Sequence, residues 1–307
     1  MAHDVDRPGP APVMADPDPL ARLQDENPQY AANKRLVFDM WRTIVNAGQV
    51  ELADTMLQQD YIQHSPVLPT GREAFKQVFS AVPRTLIPDM VAPPLVAILA
   101  EGDLVVMALR EGISGPQGAE IYSTTHFNLF RIEKGQLAEH WHSVVTPPGP
   151  EVLPPEQGGP QPVTGAKGAA QIDLVDAAGA AQWANKRLVF DAWRQVFEAR
   201  RMELAPLYLA KDFIDHDPNG VSGLESFRRQ FVGLGEAPIS AAVRGRLVAL
   251  VAEGELVVMV RGHEHPHPSR AGATYTTASF QMFRIANGRI AERWSGELRQ
   301  PASGEKG

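Results

Sequence analysis

The chain has 307 residues, 44% of them hydrophobic, enough for two compact domains with separate cores and too apolar for a mainly disordered protein. A net charge of -7, without any stripe of Lys and Arg, argues against nucleic acid or an anionic membrane surface as a partner. There is no cysteine, which excludes disulfides, thiolate metal sites and cysteine nucleophiles. A cytoplasmic protein is expected, since no stretch reads as a secretory signal and none is apolar for long enough to span a bilayer.

Residues 1–28, acidic and proline-rich, read as a disordered N-terminal tail. A first domain is expected over 29–146. Leu36, Val37, Met40, Trp41, Ile44 and Val45 recur at helical spacing, giving a helix one apolar face, and Gly48 suits its end. A short helix is predicted around 51–57, followed by the segment DYIQHSP. Another helix over 72–79 is predicted to turn Phe75, Val78 and Phe79 inward. Long strands follow over 95–100, 104–110, 122–132 and 136–145. Glu101-Gly102-Asp103 joins the first pair and Glu133-Lys134-Gly135 the second, both hairpin signals.

A Pro- and Gly-rich stretch over 147–180 reads as an exposed linker. Beyond it the sequence repeats. ANKRLVFD begins at Ala32 and again at Ala184, an offset of 152 that persists to Met107 and Met259. One residue is then gained, so that Tyr122 faces Tyr275 and Trp141 faces Trp294. The unit is the size of a whole domain, too long for a solenoid repeat, and places a second domain over 181–299 before a polar tail at 300–307. Helices first and an antiparallel meander afterwards give an α+β class, with helices on one face of each sheet.

Three pieces of each copy resemble the SnoaL-like (polyketide cyclase-type) branch of the NTF2-like superfamily. They are YIQHSP followed by TGREAF, the F-R-I-x-x-G turn, and AEHW at the start of the last strand. The second copy has FIDHDP, SGLESF, FRIANG and AERW. The resemblance implies two tandem cone-shaped barrels, each a curved antiparallel sheet with helices on its concave face around an apolar pocket. Its members include cyclases, isomerases and dehydratases as well as pure binders. The last strand of SnoaL-like domains usually reads EHWD, its aspartate acting as the pocket acid/base; here His142 and Ser295 stand at that position. An aspartate usually precedes the hydrophobic-Phe-Arg triplet on the strand before, where this chain has Asn128 and Gln281.

Strand alternation puts His126, Asn128 and Phe130 on one face, and a hairpin near Lys134 would lay His140 and His142 beside them. Imidazoles beside an apolar cavity could move a proton at neutral pH, with Asn128 holding an enol or oxyanion oxygen. The expected catalytic set is therefore His126, His142 and Asn128, with the motif histidine His64 approaching the same mouth or capping its own loop. Tyr61, Phe130 and Trp141 in the first copy, and His216, Asp217, Gln281 and Trp294 in the second, are expected to line the pockets. The second copy replaces His126, His140 and His142 by Ser279, Arg293 and Ser295, and reads as a pseudo-subunit, although Asp217 could serve there as a base.

His263, His265 and His267 alternate as metal ligands do, but Pro266 and Pro268 point to an exposed hairpin loop, so no metal is expected. No phosphate loop, G-x-S-x-G elbow or HExxH motif is present. Cofactor-free cyclase, isomerase or lyase chemistry on a hydrophobic, oxygenated small molecule is the first reading, and a non-catalytic binding or interaction module the second. The fused pair is expected to form an intramolecular pseudo-dimer, with further homo-oligomerisation left open.

Overall fold

A computed structural model of the chain describes residues 9–143, 146–177 and 179–300; the ends of both expected tails, 1–8 and 301–307, lie outside the described residues. Helix α1 (Pro28–Met40) begins where Asn27 accepts a hydrogen bond from the Gln29 N–H at 2.9 Å and Pro28 supplies a helical φ. It widens into a single π-type turn over Trp41–Val45, where the Asn46 N–H bonds the Trp41 carbonyl at 2.9 Å. The chain then reverses at Gly48. Its φ is +66°, and a Cβ there would lie 2.6 Å from the Val82 carbonyl oxygen, so only glycine fits.

After α2 (Ala53–Met56) come strand β1 (Leu57–Gln63) and helix α3 (Arg72–Phe79), then β2 (Leu95–Glu101), β3 (Leu104–Ser114), β4 (Glu120–Glu133) and β5 (Gln136–His142). The second repeat follows the same plan. It has α4 (Ala180–Ala192), α5 (Ala205–Tyr208), β6 (Leu209–Asp215), α6 (Leu224–Gln230), β7 (Arg246–Glu253), β8 (Leu256–Pro266), β9 (Thr274–Ala286) and β10 (Arg289–Ser295). The hairpins joining β4 to β5 and β9 to β10 turn through Lys134-Gly135 and Asn287-Gly288. All four residues have positive φ, the twist a two-residue hairpin needs.

The α+β class holds, with two corrections to the expected sheet. The segment at 57–63 is a fifth strand that pairs parallel with β5, so each sheet is mixed, in the orders β1-β5-β4-β3-β2 and β6-β10-β9-β8-β7. Strands β1 and β2 remain its two edges, so the sheet does not close into a barrel. Val78, expected inward, is 36% exposed, whereas Phe75 is buried.

Both faces of each sheet are covered. On one face Val105, Met107, Leu109 and Phe130 meet Val37, Phe38, Trp41 and Ile44 of the helical layer. On the other, Val106, Phe127 and Leu129 pack against Val258, Phe280 and Met282 of the second repeat, and the rings of Phe127 and Phe280 stack at 5.6 Å. Burying each such ring contributes roughly 2–3 kcal/mol. The two-sided demand explains why β3 and β8 read as continuous apolar runs rather than alternating ones.

Two reciprocal ion pairs close this contact. Lys34 of α1 is fully buried, and its Nζ donates to Glu253 Oε1 of the other repeat at 2.6 Å, while Glu253 Oε2 accepts from the Ala100 N–H at 2.6 Å. Lys186 and Glu101 repeat the arrangement, at 2.8 Å to the lysine and 2.8 Å from the Ala252 N–H. The lysines come from the ANKRLVFD segments and the glutamates from the β2–β3 and β7–β8 hairpins, so each copy clasps the other.

The expected tail and linker also prove to be parts of the fold. Residues 9–16 and 159–166 are matching straps carrying Pro10-Ala11-Pro12-Val13 and Pro160-Gln161-Pro162-Val163. Each begins on the far repeat and ends on its own. The Ala11 N–H bonds the Asp215 carbonyl and the Asp16 N–H that of Leu95; the Gln161 N–H bonds the Gln63 carbonyl and the Ala166 N–H that of Leu247. Val13 and Val163 are buried in the inter-sheet cluster, which is why neither segment is free. The expected disordered tail is corrected accordingly over 9–28, and the expected exposed linker over 159–166.

Removing Glu253 takes the shorter of two carboxylate contacts from the fully buried Lys34 ammonium, which keeps Asp25 at 3.1 Å and the Gln24 carbonyl at 2.9 Å; the expected loss is about 2 kcal/mol, because a half-compensated interior charge is worse than a lost surface bridge. Urea unfolding of Glu253→Ala should show that loss, and adding Lys34→Met should recover most of it. A single-variant loss below about 1 kcal/mol would show the pair to be an ordinary surface bridge.

Candidate functional site

The ladder between β4 and β5 pairs Asn128 with His142 and Phe130 with His140, and β3 sets Leu109 opposite His126. His126, Asn128, His140 and His142 therefore share the helix-covered face of the first sheet, as alternation requires. His140 is buried rather than on an exposed sheet face, and stacks on Phe130 at 4.5 Å. His126 and His142 are half-buried, 5.7 Å apart between ring centres, with Trp41 edge-on to His126 at 6.0 Å.

A directed chain of hydrogen bonds holds the centre of this face. The Ser65 N–H donates to Gln63 Oε1 at 3.0 Å, which leaves the Gln63 amide to donate to His140 Nδ1, also at 3.0 Å. The His140 proton then sits on Nε2 and is given to Asn128 Oδ1 at 3.0 Å. Asn128 is fully buried, and its Nδ2 has no partner among the described residues. An unmet buried donor is worth about 1–3 kcal/mol of lost stability. His142 Nε2 bonds Ser65 Oγ, tying the second imidazole to the same loop. Gln63 and Ser65 were not singled out from sequence. Gln63 was legible in hindsight as the residue of opposite parity to His64, once DYIQ is seen as a strand.

Burial dominates the titration of all three rings. It lowers His126, which the Glu111 carboxylate partly pulls back; it sends His142 to about 3, with His126 adding repulsion; and it holds His140 well below the ordinary value. The three are therefore neutral near pH 7.

His64 lies on the other face. Its ring stacks on Trp141 at 4.4 Å, Nε2 meets Glu139 at 2.9 Å, and Nδ1 meets the Gln161 and Pro162 carbonyls of the second strap at 3.1 Å each. Arg131 donates to the same Glu139 at 2.7 Å. His216 repeats this with Trp294, Glu292 and the Pro12 carbonyl of the first strap. One residue of strand parity separates these histidines from the interior, so His64, Trp141, His216 and Trp294 leave the candidate site and become the clasp that holds the straps. Tyr61 and Phe130 face the helices within the core, Tyr61 buried edge-on to Phe75 at 5.7 Å, with desolvation raising its phenol.

In the second repeat Arg293 takes the place of His140 and bonds Asp215 at 2.9 Å and Asp217 at 3.0 Å. Asp217 also accepts from the Asn219 N–H, so its carboxylate is engaged rather than free to act as a base. Gln281 is buried with Oε1 unpartnered. His263 and His265 are not in a loop: β8 runs through Pro266, and within it His263 meets Ser279 Oγ at 2.7 Å and His265 meets Thr277 Oγ1 at 2.9 Å, while His267 begins the connection to β9. Among the described residues no three His, Asp or Glu converge as a metal site would require, and no helix is long and apolar enough to cross a membrane.

Residues 35–144 match the family model of the SnoaL-like polyketide cyclase, and residues 190–293 that of the SnoaL-like domain, more than half the chain between them. The chain belongs to the SnoaL-like family. Both SnoaL-like repeats keep the histidine, arginine, glutamate and tryptophan of the motifs, and in both these residues build the strap clasp. Among solved structures the chain is similar to TsrD from Streptomyces laurentii (18% identity, 39% of this chain and 90% of that one, TM-score 0.27). It is also similar to a putative SnoaL-like polyketide cyclase from Jannaschia (20%, 39% and 89%, 0.29) and to an NTF2-like protein of unknown function from Mesorhizobium loti (20%, 39% and 93%, 0.27). No curated protein sequence matches the chain.

A folded-state histidine pKa below the unfolded value of about 6.5 gives stability that is complete above that value and lost as the pH falls. Between about pH 6.5 and 4 the unfolded chain takes up protons that folded His140 and His142 refuse, at up to about 1.4 kcal/mol per pH unit for each ring. Urea unfolding across this range should weaken with acid, and His142→Gln should flatten the slope by about one proton. An unchanged slope would mean the ring titrates normally.

Proposed function

We propose that the first repeat is a cofactor-free SnoaL-like enzyme that removes a proton beside a carbonyl group of a hydrophobic, oxygenated small molecule, leading to ring closure or isomerisation. The observation that carries this reading is the unpartnered Asn128 Nδ2, fixed by the Gln63–His140 chain and adjacent to two neutral imidazoles. A donor held in a buried site without reorganisation is what a developing enolate oxygen requires.

His126 is the better base of the two half-buried rings. It makes no hydrogen bond to another described residue, and Glu111 offsets part of its desolvation, whereas His142 is pushed to about 3 and is bonded to Ser65. His126 takes the proton from carbon and Asn128 Nδ2 donates to the enolate oxygen. In ring closure the enolate carbon then adds to a second carbonyl of the substrate, whose π bond opens to an alkoxide that His126 protonates; in isomerisation His126 returns the same proton to a different carbon of the enolate. The neutral His140 Nε2–H keeps the Asn128 amide turned so that Nδ2 faces the substrate.

The second repeat, with an ion pair where the first has an imidazole chain, supports the first as a partner whose sheet covers apolar surface. This is an intramolecular form of a sheet-to-sheet dimer. The site in the first repeat then needs no second copy of the chain.

The test is a screen of enolisable cyclic ketones and linear polyketone mimics. With a substrate in hand, His126→Gln should lower kcat about 10²-fold or more, Asn128→Leu about 10²- to 10³-fold, and Ser295→Ala little. Loss of turnover in Ser295→Ala with none in His126→Gln would move the activity to the second repeat. Saturable binding of these compounds without turnover would make the first repeat a binding module.

A further inference from the structure

The second repeat carries a pocket that the reading above leaves unused. It has a volume of about 260 Å³ and opens at the far ends of β8 and β9, lined among others by Arg261, His263, Ser279, Phe280 and Glu297, with Ser143 of the first repeat at its rim. The size is at the low end for ligand sites and suits a small molecule. The first repeat has Leu109 and Glu111 where Arg261 and His263 stand, so this pocket's chemistry is peculiar to the second.

Arg261 is the unusual member. Its side chain is 15% exposed and lies over the Trp193 ring at 4.2 Å, the usual resting place of a desolvated guanidinium. Its Nε is buried without a partner, and the guanidinium makes no hydrogen bond to another described residue. The nearest carboxylate, Glu198, is 4.0 Å away and is already engaged by Trp193 Nε1 at 3.0 Å and the Arg244 N–H at 3.0 Å. A guanidinium is a rigid fork of five donors that cannot discharge itself, so burying one with a single carboxylate at 4.0 Å and no hydrogen bond among the described residues leaves its donors unmet at considerable cost. Arg293, also buried in this repeat, is matched by two aspartates.

The surroundings limit which ligand would complete Arg261. His263 is pushed to about 4 by burial and by Arg261, so it adds no charge and is spent on Ser279. Burial and Asp217 raise Glu297, while Arg261 and Arg293 lower it. Among the described residues Arg261 is the one Lys or Arg in the pocket lining, and the carboxyl groups of Glu198 and Glu297 stand near it, so the site suits a monoanion better than a phosphate dianion. Tyr275, on the same face of β9 as Ser279, offers ring surface beside it.

We propose that this pocket is a binding site for a small monocyclic carboxylate, its carboxylate paired with the Arg261 fork and its ring set against β9. Carboxylates match the fork in bidentate fashion, which phosphate does as well, but only the single charge matches this site.

The probe is benzoate, titrated calorimetrically against the full chain, with benzamide as the neutral isostere and inorganic phosphate as the competing oxoanion. Benzoate should bind at least about tenfold more tightly than benzamide or phosphate, and Arg261→Met should weaken it by about tenfold or more. Asn128→Leu should leave it unchanged, which separates this site from the first repeat. Equal binding of benzoate and benzamide, tighter binding of phosphate, or no benzoate binding at all would each overturn the proposal. The ligand comparison uses the unaltered protein, so it stands even if Arg261→Met fails to fold.

Discussion

Each sheet of this protein is apolar on both faces and has helices for only one of them. Phe127, Leu129, Val106 and Trp141 would face water in a lone repeat, and the second repeat removes that exposure with Phe280, Met282, Val258 and Trp294. The remaining features follow from this contact. Lys34 and Lys186 can be buried because the opposite hairpin supplies a glutamate whose other oxygen is held by a backbone N–H. The straps can cross between repeats because a seam exists for Val13 and Val163 to fill. Fusing the two copies makes the contact intramolecular, so the chain avoids the entropic loss of bringing two molecules together.

The contacts of the polar side chains divide across the sheet by parity. Residues carrying the family motifs, His64, Arg131, Glu139 and Trp141 with their second-copy counterparts, point at the seam and serve assembly. Their neighbours one step along, Gln63, His140 and His142, point at the helices and make the polar chain that ends at Asn128. The resemblance therefore rests on residues that hold the architecture, while the positions that differ from the family pattern are those in the interior. A fold can keep its scaffold and exchange its chemistry in this way because alternate residues of one strand answer to different neighbours.

Sequence revealed the duplication, the helix faces, four of the five strands and the juxtaposition of His126, Asn128, His140 and His142, because these depend on local periodicity and on hairpin turns with known geometry. It did not reveal which face of β5 is covered by helices, since both are apolar and hydrophobic patterning is then silent. The fifth strand was missed for a related reason. Leu57–Gln63 is a polar edge whose partner, β5, lies some eighty residues away. The straps were hidden by composition: Pro-Ala-Pro-Val and Pro-Gln-Pro-Val read as punctuation, and their repetition is informative only beside the carbonyls and hydroxyls they bond across the seam. Pro266 misled in the same sense, because a proline at the last position of a strand interrupts nothing.

The central claim is that the two repeats are one cooperative body rather than two domains on a tether. Native-state amide hydrogen exchange tests it directly, comparing the slowest amides of β4 with those of β9. Shared seams and crossed straps predict opening free energies for the two strands that agree to within about 1 kcal/mol and fall together with added urea. Exchange in which one strand opens several kcal/mol before the other, each with its own dependence on urea, would contradict it.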